Sequence, residues 1–347
     1  MKTAVVILNW NTERYLRDFL PALVSSCPAD AEVIVADNGS TDGSLEYVTR
    51  EFPGIRILPL GDNYGFTGGY NRALAQVDAD YFLLLNSDIQ VAPGWLEPLV
   101  AYMDAHPDCG VCGPKLHALV RTTDGGYDRL DRFEYAGAAG GRIDRFGYPF
   151  CRGRVMQKVE EDTGQYDAPS DLLWVSGACL LTRASLWREL GGLDERFFAH
   201  MEEIDYCWRA QLRGWKVAVV PGSVVWHLGG GTLVPKSPWK LELNHRNNLL
   251  LLENNLPATV GRATARLRIC VRLLLDWASA VVYLLSGRPE DFRAVVRAHR
   301  GYRSLRRPGG VSGRADVKGY YNILLILQCL LHGGGIFNYL KRYEDSH

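Results

Sequence analysis

Through the first ninety residues, short apolar runs alternate with amphipathic segments, the pattern of βαβ units around a mostly parallel sheet. Residues 4–8, 33–36, 55–58 and 81–85 read as buried strands. Between them Tyr15, Leu16, Phe19, Leu20 and Leu23 recur at helical spacing, and Leu45 and Val48 follow the cap-like Ser40-Thr41. The segments leaving these strands, Asn9-Trp10-Asn11, Asp37-Asn38-Gly39-Ser40 and Asn86-Ser87-Asp88, are polar. They are expected on one sheet edge, where open α/β sheets bind ligands.

Residues 117–170 lose this periodicity and form a long insertion, expected to be a functional flap or a local hairpin. Order returns with an apolar strand over 172–182 broken by Ser176-Gly177, a Gly191-Gly192 turn, a helix over 202–212 closed by Gly214, and a strand over 215–220. A polar helix over 241–255 follows, and after Pro257 the composition turns to Arg, Leu and Val.

Charge changes this picture. The 347 residues carry 39 basic and 39 acidic side chains, a neutral total, yet residues 257–347 hold 13 Arg and 2 Lys against 6 acids, a net of +9. Residues 1–256 therefore carry −9. The expectation is an α/β domain over 1–256 and a basic amphipathic helical region over 257–347. That region is expected to lie on an anionic membrane, the alternatives being a helical appendage with a solvated basic face or one docked on the acidic domain of its own or a neighbouring chain. Arg272 and Asp276 interrupt the apolar run over 269–285, which argues against a spanning helix. The apolar run at 4–8 is too short for a signal core, so the expected location is cytoplasmic, peripheral on the inner face of the cell membrane. Eight scattered cysteines imply no disulfide framework, and the Cys109/Cys112 pair lacks the second pair a zinc site needs. The basic region has no nucleic-acid reading motif, so no nucleic-acid partner is expected.

Each candidate for chemistry also has a plain structural reading. The run from Asp37 to Asp42 can be turn and cap residues, or a strand-end carboxylate that bonds a nucleotide. The glycine-dense 63–71 segment, taken as a loop before a helix at 72–76, matches neither GxGxxG nor a P-loop. It is either a close approach to a ligand or a strained turn. Asp88 after a core strand is a turn residue or a ligand for Mg2+ or Mn2+. Glu202, Glu203 and Asp205 at a helix start suit the helix dipole, and equally suit a general base kept ionised. His227 is structural or a ligand.

Taken in order, these segments resemble glycosyltransferase family 2, inverting enzymes of the GT-A fold, and its bacterial branch of rhamnosyltransferases in cell-wall and O-antigen assembly. The resemblance is carried by AVVILNWN at 4–11, DNGSTDGS at 37–44, NYGFTGGYN at 63–71, LNSD at 85–88, WVSGACLLTR at 174–183, GGLDERFF at 191–198, EEIDYCWRA at 202–210 and WH at 226–227. It implies an α/β GT-A fold, here with a C-terminal α-helical appendage, a dTDP- or UDP-sugar donor, and a glycan or lipid-linked glycan acceptor.

By the same resemblance Asp37 contacts the base beside Asn9 and Asn11, and Asn38, Ser40, Asn63, Gly65, Phe66, Asn71 and Asn86 line the donor. Asn86-Ser87-Asp88 stands at the metal-binding DxD position with Asn for the first acid, leaving Mg2+ or Mn2+ to Asp88, with His227 as a further metal or pyrophosphate contact. Glu203 is the leading base, with Glu202 and Asp205 as alternatives. Trp174, Ser176 and Gly177 are expected on the acceptor side, and rhamnose leads among the sugars. Two other classes stand beside this reading. One is a non-catalytic relative. The other is a nucleotide-sugar pyrophosphorylase, for which the N-terminal run lacks the expected Gly- and Arg-rich phosphate loop.

Overall fold

A computed structural model describes residues 2–168, 170–229, 237–307 and 315–345. The chain opens with β1 (Thr3–Asn9), α1 (Glu13–Ser26), β2 (Ala31–Asp37), α2 (Ser44–Glu51), β3 (Arg56–Pro59), α3 (Gly65–Leu74) and β4 (Tyr81–Leu85). Then come β5 (Ile89–Gln90), α4 (Glu97–Ala105), β6 (Cys109–Arg121) and β7 (Tyr127–Phe133). The insertion contributes β8 (Gly141–Asp144), β9 (Pro149–Cys151), β10 (Arg154–Val155) and β11 (Lys158–Val159). They are followed by β12 (Ser170–Asp171), β13 (Cys179–Arg183), α5 (Ala184–Leu190), α6 (Glu202–Leu212) and β14 (Lys216–His227). The last third holds α7 (Pro238–Val260), α8 (Arg262–Leu285), α9 (Pro289–Leu305), β15 (Tyr320–Tyr321), α10 (Leu325–His332) and α11 (Ile336–Asp345).

Among the described residues the main sheet runs β12-β14-β6-β13-β4-β1-β2-β3, with β5 on β14 and β7 on β6. β3, β2, β1 and β4 are parallel, and β13 runs against both its neighbours. Strand alternation sorts β1 between two cores: Ala4 and Val6 pack toward one face, Val5 and Ile7 toward the other. Register sets Asn9 opposite Asp37, so the loops after β1 and β2 leave from one edge, as the sequence pattern predicts.

Two expectations change and two gain detail. The glycine-dense segment is not a loop: α3 begins at Gly65, because Gly69 lets the helix settle on β1, where a side chain would come within 2.8 Å of Leu8. Within 172–182 the strand is β13 alone, beginning at Cys179, while Trp174 turns aside to accept a hydrogen bond from Gly141 N at 2.8 Å. The insertion is a β6–β7 hairpin plus most of a second sheet, β11-β10-β9-β8-β15, whose last strand comes from the C-terminal region. Finally, α8 packs through Ala265, Arg272, Asp276 and Ala280, with Ile269 and Leu273 also against the core, so its inner face carries the ion pair while Leu267, Leu274 and Leu285 are exposed. No helix among the described residues is long and apolar enough to cross a membrane.

Candidate active site

The loop after β1 is tied to the loop after β2. Asn9, fully buried, donates its amide to Asp37 Oδ1 (2.8 Å), Ser40 Oγ (3.0 Å) and Ser44 Oγ (2.8 Å), and accepts from Thr12 Oγ1 at 2.6 Å. It therefore stands behind Asp37 and orients that carboxylate, which also accepts Ser40 N at 3.2 Å. Asn11, exposed and at φ +54°, accepts from Thr41 N at 2.7 Å and fixes the outer rim. Asn38 reaches across to Asn63 and to the Gly65 carbonyl, both at 3.1 Å, seating the start of α3. Asn71 departs from its expected donor role: both ends of its amide are spent on Leu193, at 2.8 and 2.9 Å, and fasten the Gly-Gly-Leu-Asp segment to α3.

Asp88 follows β4, and pairing of β5 with the end of β14 sets it beside His227. His227 Nε2 lies 3.3 Å from Asp88 Oδ1, and its Nδ1 lies 3.6 Å from Glu134 Oε2, too far for a hydrogen bond. All three side chains are buried. Burial favours neutral imidazole, but Asp88 and Glu134 outweigh it and push the His227 pKa up to about 10. Among the described residues no three His, Cys, Asp or Glu side chains form a ready metal cage. Asp88 instead fits a hard divalent ion that draws most of its shell from phosphate oxygens and water, while His227, protonated between Asp88 and Glu134, has no lone pair to offer a metal and suits a contact to pyrophosphate.

The acids of α6 separate clearly. Asp205, with no exposed surface, is locked by Arg209 Nε at 2.6 Å, Asn254 at 2.9 Å and Asn255 at 2.8 Å, so it is structural and not a candidate base. Glu202 is buried with Oε2 unpartnered, and burial together with Glu203 raises its pKa well above the ordinary range. Glu203 is only partly buried; burial raises it to about 7, while backbone N–H groups at the start of α6 pull the other way.

The approach to α6 is strained: Phe198, His200 and Met201 have φ of +64°, +71° and +70°. Asn247 of α7 holds it by donating to the carbonyls of Phe197 (3.0 Å), Ala199 (2.8 Å) and His200 (2.8 Å), and Arg246 adds a bond to Phe197 O at 2.7 Å. The Phe198 carbonyl in turn accepts Phe66 N (2.8 Å) and Thr67 N (3.2 Å), capping α3.

The 176–178 turn joins the two halves. Asn86 N donates to Ala178 O at 2.9 Å, and a side chain at Gly177 would lie 3.4 Å from Glu203 Cβ and 3.5 Å from the Phe66 ring. Ser176 is buried and accepts from Ala178 N at 3.3 Å, shaping this turn. Trp174 is corrected: its ring is enclosed against Gly141, with Nε1 bonded to Arg142 O at 3.1 Å, so it belongs to the core and not to an acceptor surface. Sequence reasoning missed Glu134, Arg246, Asn247 and Lys240. Lys240 is held below its ordinary pKa by burial, against the pull of Glu134, which places a further cation near that carboxylate. The signal for the α7 pair was the polar His245-Arg246-Asn247-Asn248 run set against four leucines.

The sequence profile described as Glycosyl transferase family 2 matches residues 4–162. The N-acetylglucosaminyl-diphospho-decaprenol L-rhamnosyltransferase of Mycobacterium tuberculosis is 31% identical over 234 residues, 64% of this chain and 75% of its own. Rhamnosyltransferase WbbL of Escherichia coli is 26% identical over 214 residues, 59% of this chain and 76% of its own. Among solved structures, a mannosyltransferase of Pyrobaculum calidifontis in complex with GDP-Man and Mn2+ is similar at a TM-score of 0.52 and 13% identity over 88% of each chain, a likeness of fold.

Proposed function

The chain belongs to glycosyltransferase family 2, and on that footing we propose that it transfers a sugar from a nucleoside diphosphate to a hydroxyl of a lipid-linked glycan, with inversion. Rhamnose on dTDP is the leading donor and UDP-sugars the next, a choice supported by the names of the mycobacterial and Escherichia coli relatives. Residues 1–256 carry the chemistry, and 257–347 keep the enzyme on the anionic cytoplasmic face of the membrane where such an acceptor resides.

In this reading Asp37, oriented by Asn9, and the rim set by Asn11 receive the nucleotide. Asp88 would hold Mg2+ or Mn2+, which when bound would supply Lewis-acid stabilisation of the departing diphosphate, and the protonated His227 beside it would contact the pyrophosphate. Glu203 takes the acceptor hydroxyl proton while the new C–O bond forms on the face opposite the breaking one. A carboxyl titrating near 7 suits that task, since a base works best when its pKa lies near the working pH. Burial and the neighbouring Glu203 push the Glu202 carboxyl well above the ordinary range, which opposes a second charge beside the base.

The observation that carries the proposal is Glu203 at the start of α6, against the turn whose Ala178 is bonded to Asn86. Glu203→Gln is expected to lower transfer about 1,000-fold while donor affinity, measured by calorimetry, stays within about twofold. Near-normal turnover in that variant would move the base elsewhere.

A further inference from the structure

Helix α8 is built inside out. Its packed face holds Arg272 and Asp276, bonded at 2.8 Å and joined by His245 of α7 (2.9 Å) and His299 of α9 (3.3 Å). Its opposite face exposes Leu267, Leu274, Val281 and Leu285, a stripe at helical spacing whose last member is 82% exposed, with Trp277 beside it. A second exposed patch, Leu330 (77%) and Leu331 (66%), lies on α10. An apolar stripe of this length on a helix is far from the scattered exposed leucines of ordinary surfaces.

Charge borders the stripe. Trp277 touches Phe292 and His299 of α9 at ring distances of 6.4 and 5.5 Å, and the next residue after each is an exposed arginine, Arg293 and Arg300. Arg266 precedes Leu267 and is also exposed. A second copy of the chain meeting this face about a two-fold axis would bring like-charged surfaces of a +9 region together. A lipid surface offers the complement of both features at once: phosphates for the guanidiniums and acyl chains for the leucines.

We propose that the outer face of α8 is a membrane-docking surface, the helix lying in the plane of an anionic bilayer with its leucine stripe at the headgroup–acyl boundary. The proposal rests on the lipid-linked acceptor reading for its purpose: it brings the catalytic edge to a substrate that cannot leave the membrane. Lipid binding itself needs neither donor nor turnover.

The test is co-sedimentation of the full chain with phosphatidylcholine vesicles containing about 30 mole per cent phosphatidylglycerol, alongside transfer to a water-soluble acceptor. The full chain is expected to pellet at low salt, and Leu274→Glu/Val281→Glu/Leu285→Glu to lower the bound fraction at least about tenfold. Arg293→Glu/Arg300→Glu is expected to lower it several-fold and to flatten its salt dependence. Both variants change exposed side chains and are expected to keep soluble-acceptor activity. A full chain that stays in the supernatant overturns the proposal. So does a dimer in sedimentation velocity that the triple variant dissociates while lipid binding is unchanged. Lost transfer with intact vesicle binding would instead count against the reaction, leaving the docking surface standing.

Discussion

Glu202 and Glu203 are adjacent in sequence and unlike in surroundings. Glu202 is sealed in with an unpartnered oxygen, whereas Glu203 keeps a partly open path and meets the N-terminal amides of α6. Since burial raises the Glu203 carboxyl to about 7 and only the ionised form accepts a proton, activity should fall with acid. The expected profile of kcat/KM rises about tenfold per unit at low pH and levels above about 7. A profile flat from pH 5.5 to 8.5 would contradict this assignment. Sequence alone could not separate these acids from Asp205, because a helix dipole favours all three alike. What distinguishes Asp205 is Asn254 and Asn255, some fifty residues onward, and no local pattern points to such partners.

At the scale of elements, α7 acts as a splint. It holds the strained turn before α6 through Arg246 and Asn247 and pins α6 through Asn254 and Asn255. Asn247→Ala removes three bonds from a half-buried, positive-φ segment and is expected to lower stability by about 1–3 kcal/mol. Misplacing Glu203 should also lower kcat about tenfold or more with donor affinity little changed. Urea denaturation and steady-state kinetics measure the two effects, and a native kcat would separate α7 from the site. Strands β1 and β4 were legible because burial on both faces leaves continuous apolar runs such as Tyr81-Phe82-Leu83-Leu84-Leu85. The start of α3 was not. Glycine reads locally as a turn, whereas here it permits contact with Leu8 and, at Gly65, with Phe198, a residue whose position is set by α7. Glu134 was hidden for a similar reason: it acquires meaning only where β7 returns beside β14 through β6.

For the molecule as a whole, neutrality conceals a division into −9 and +9, and the basic part is fastened by a buried charge cluster and not by apolar packing alone. Burial opposes ionisation of Asp276, yet Arg272, His245 and His299 hold its carboxyl well below the usual range. A depressed carboxyl stabilises the fold above its unfolded pKa of about 3.9 and loses that contribution only as pH falls toward the folded value. Asp276→Asn leaves Arg272 buried without a counter-charge and is expected to cost about 3–5 kcal/mol. Thermal melting at neutral pH measures it, and an unchanged melting temperature would refute the role of the cluster. The small second sheet has a different consequence. Its β8 edge is completed by Tyr320 and Tyr321, which pair with Ile143 and Asp144. On a ribosome the chain emerges from its N-terminus, so the parallel strands β1 to β4 can assemble early, whereas β8 waits until Tyr320 and Tyr321 have been made. Until then its edge is open to pairing with other nascent chains, which makes the arrival of β15, and not nucleation of the large sheet, the step at which this protein most needs protection from aggregation.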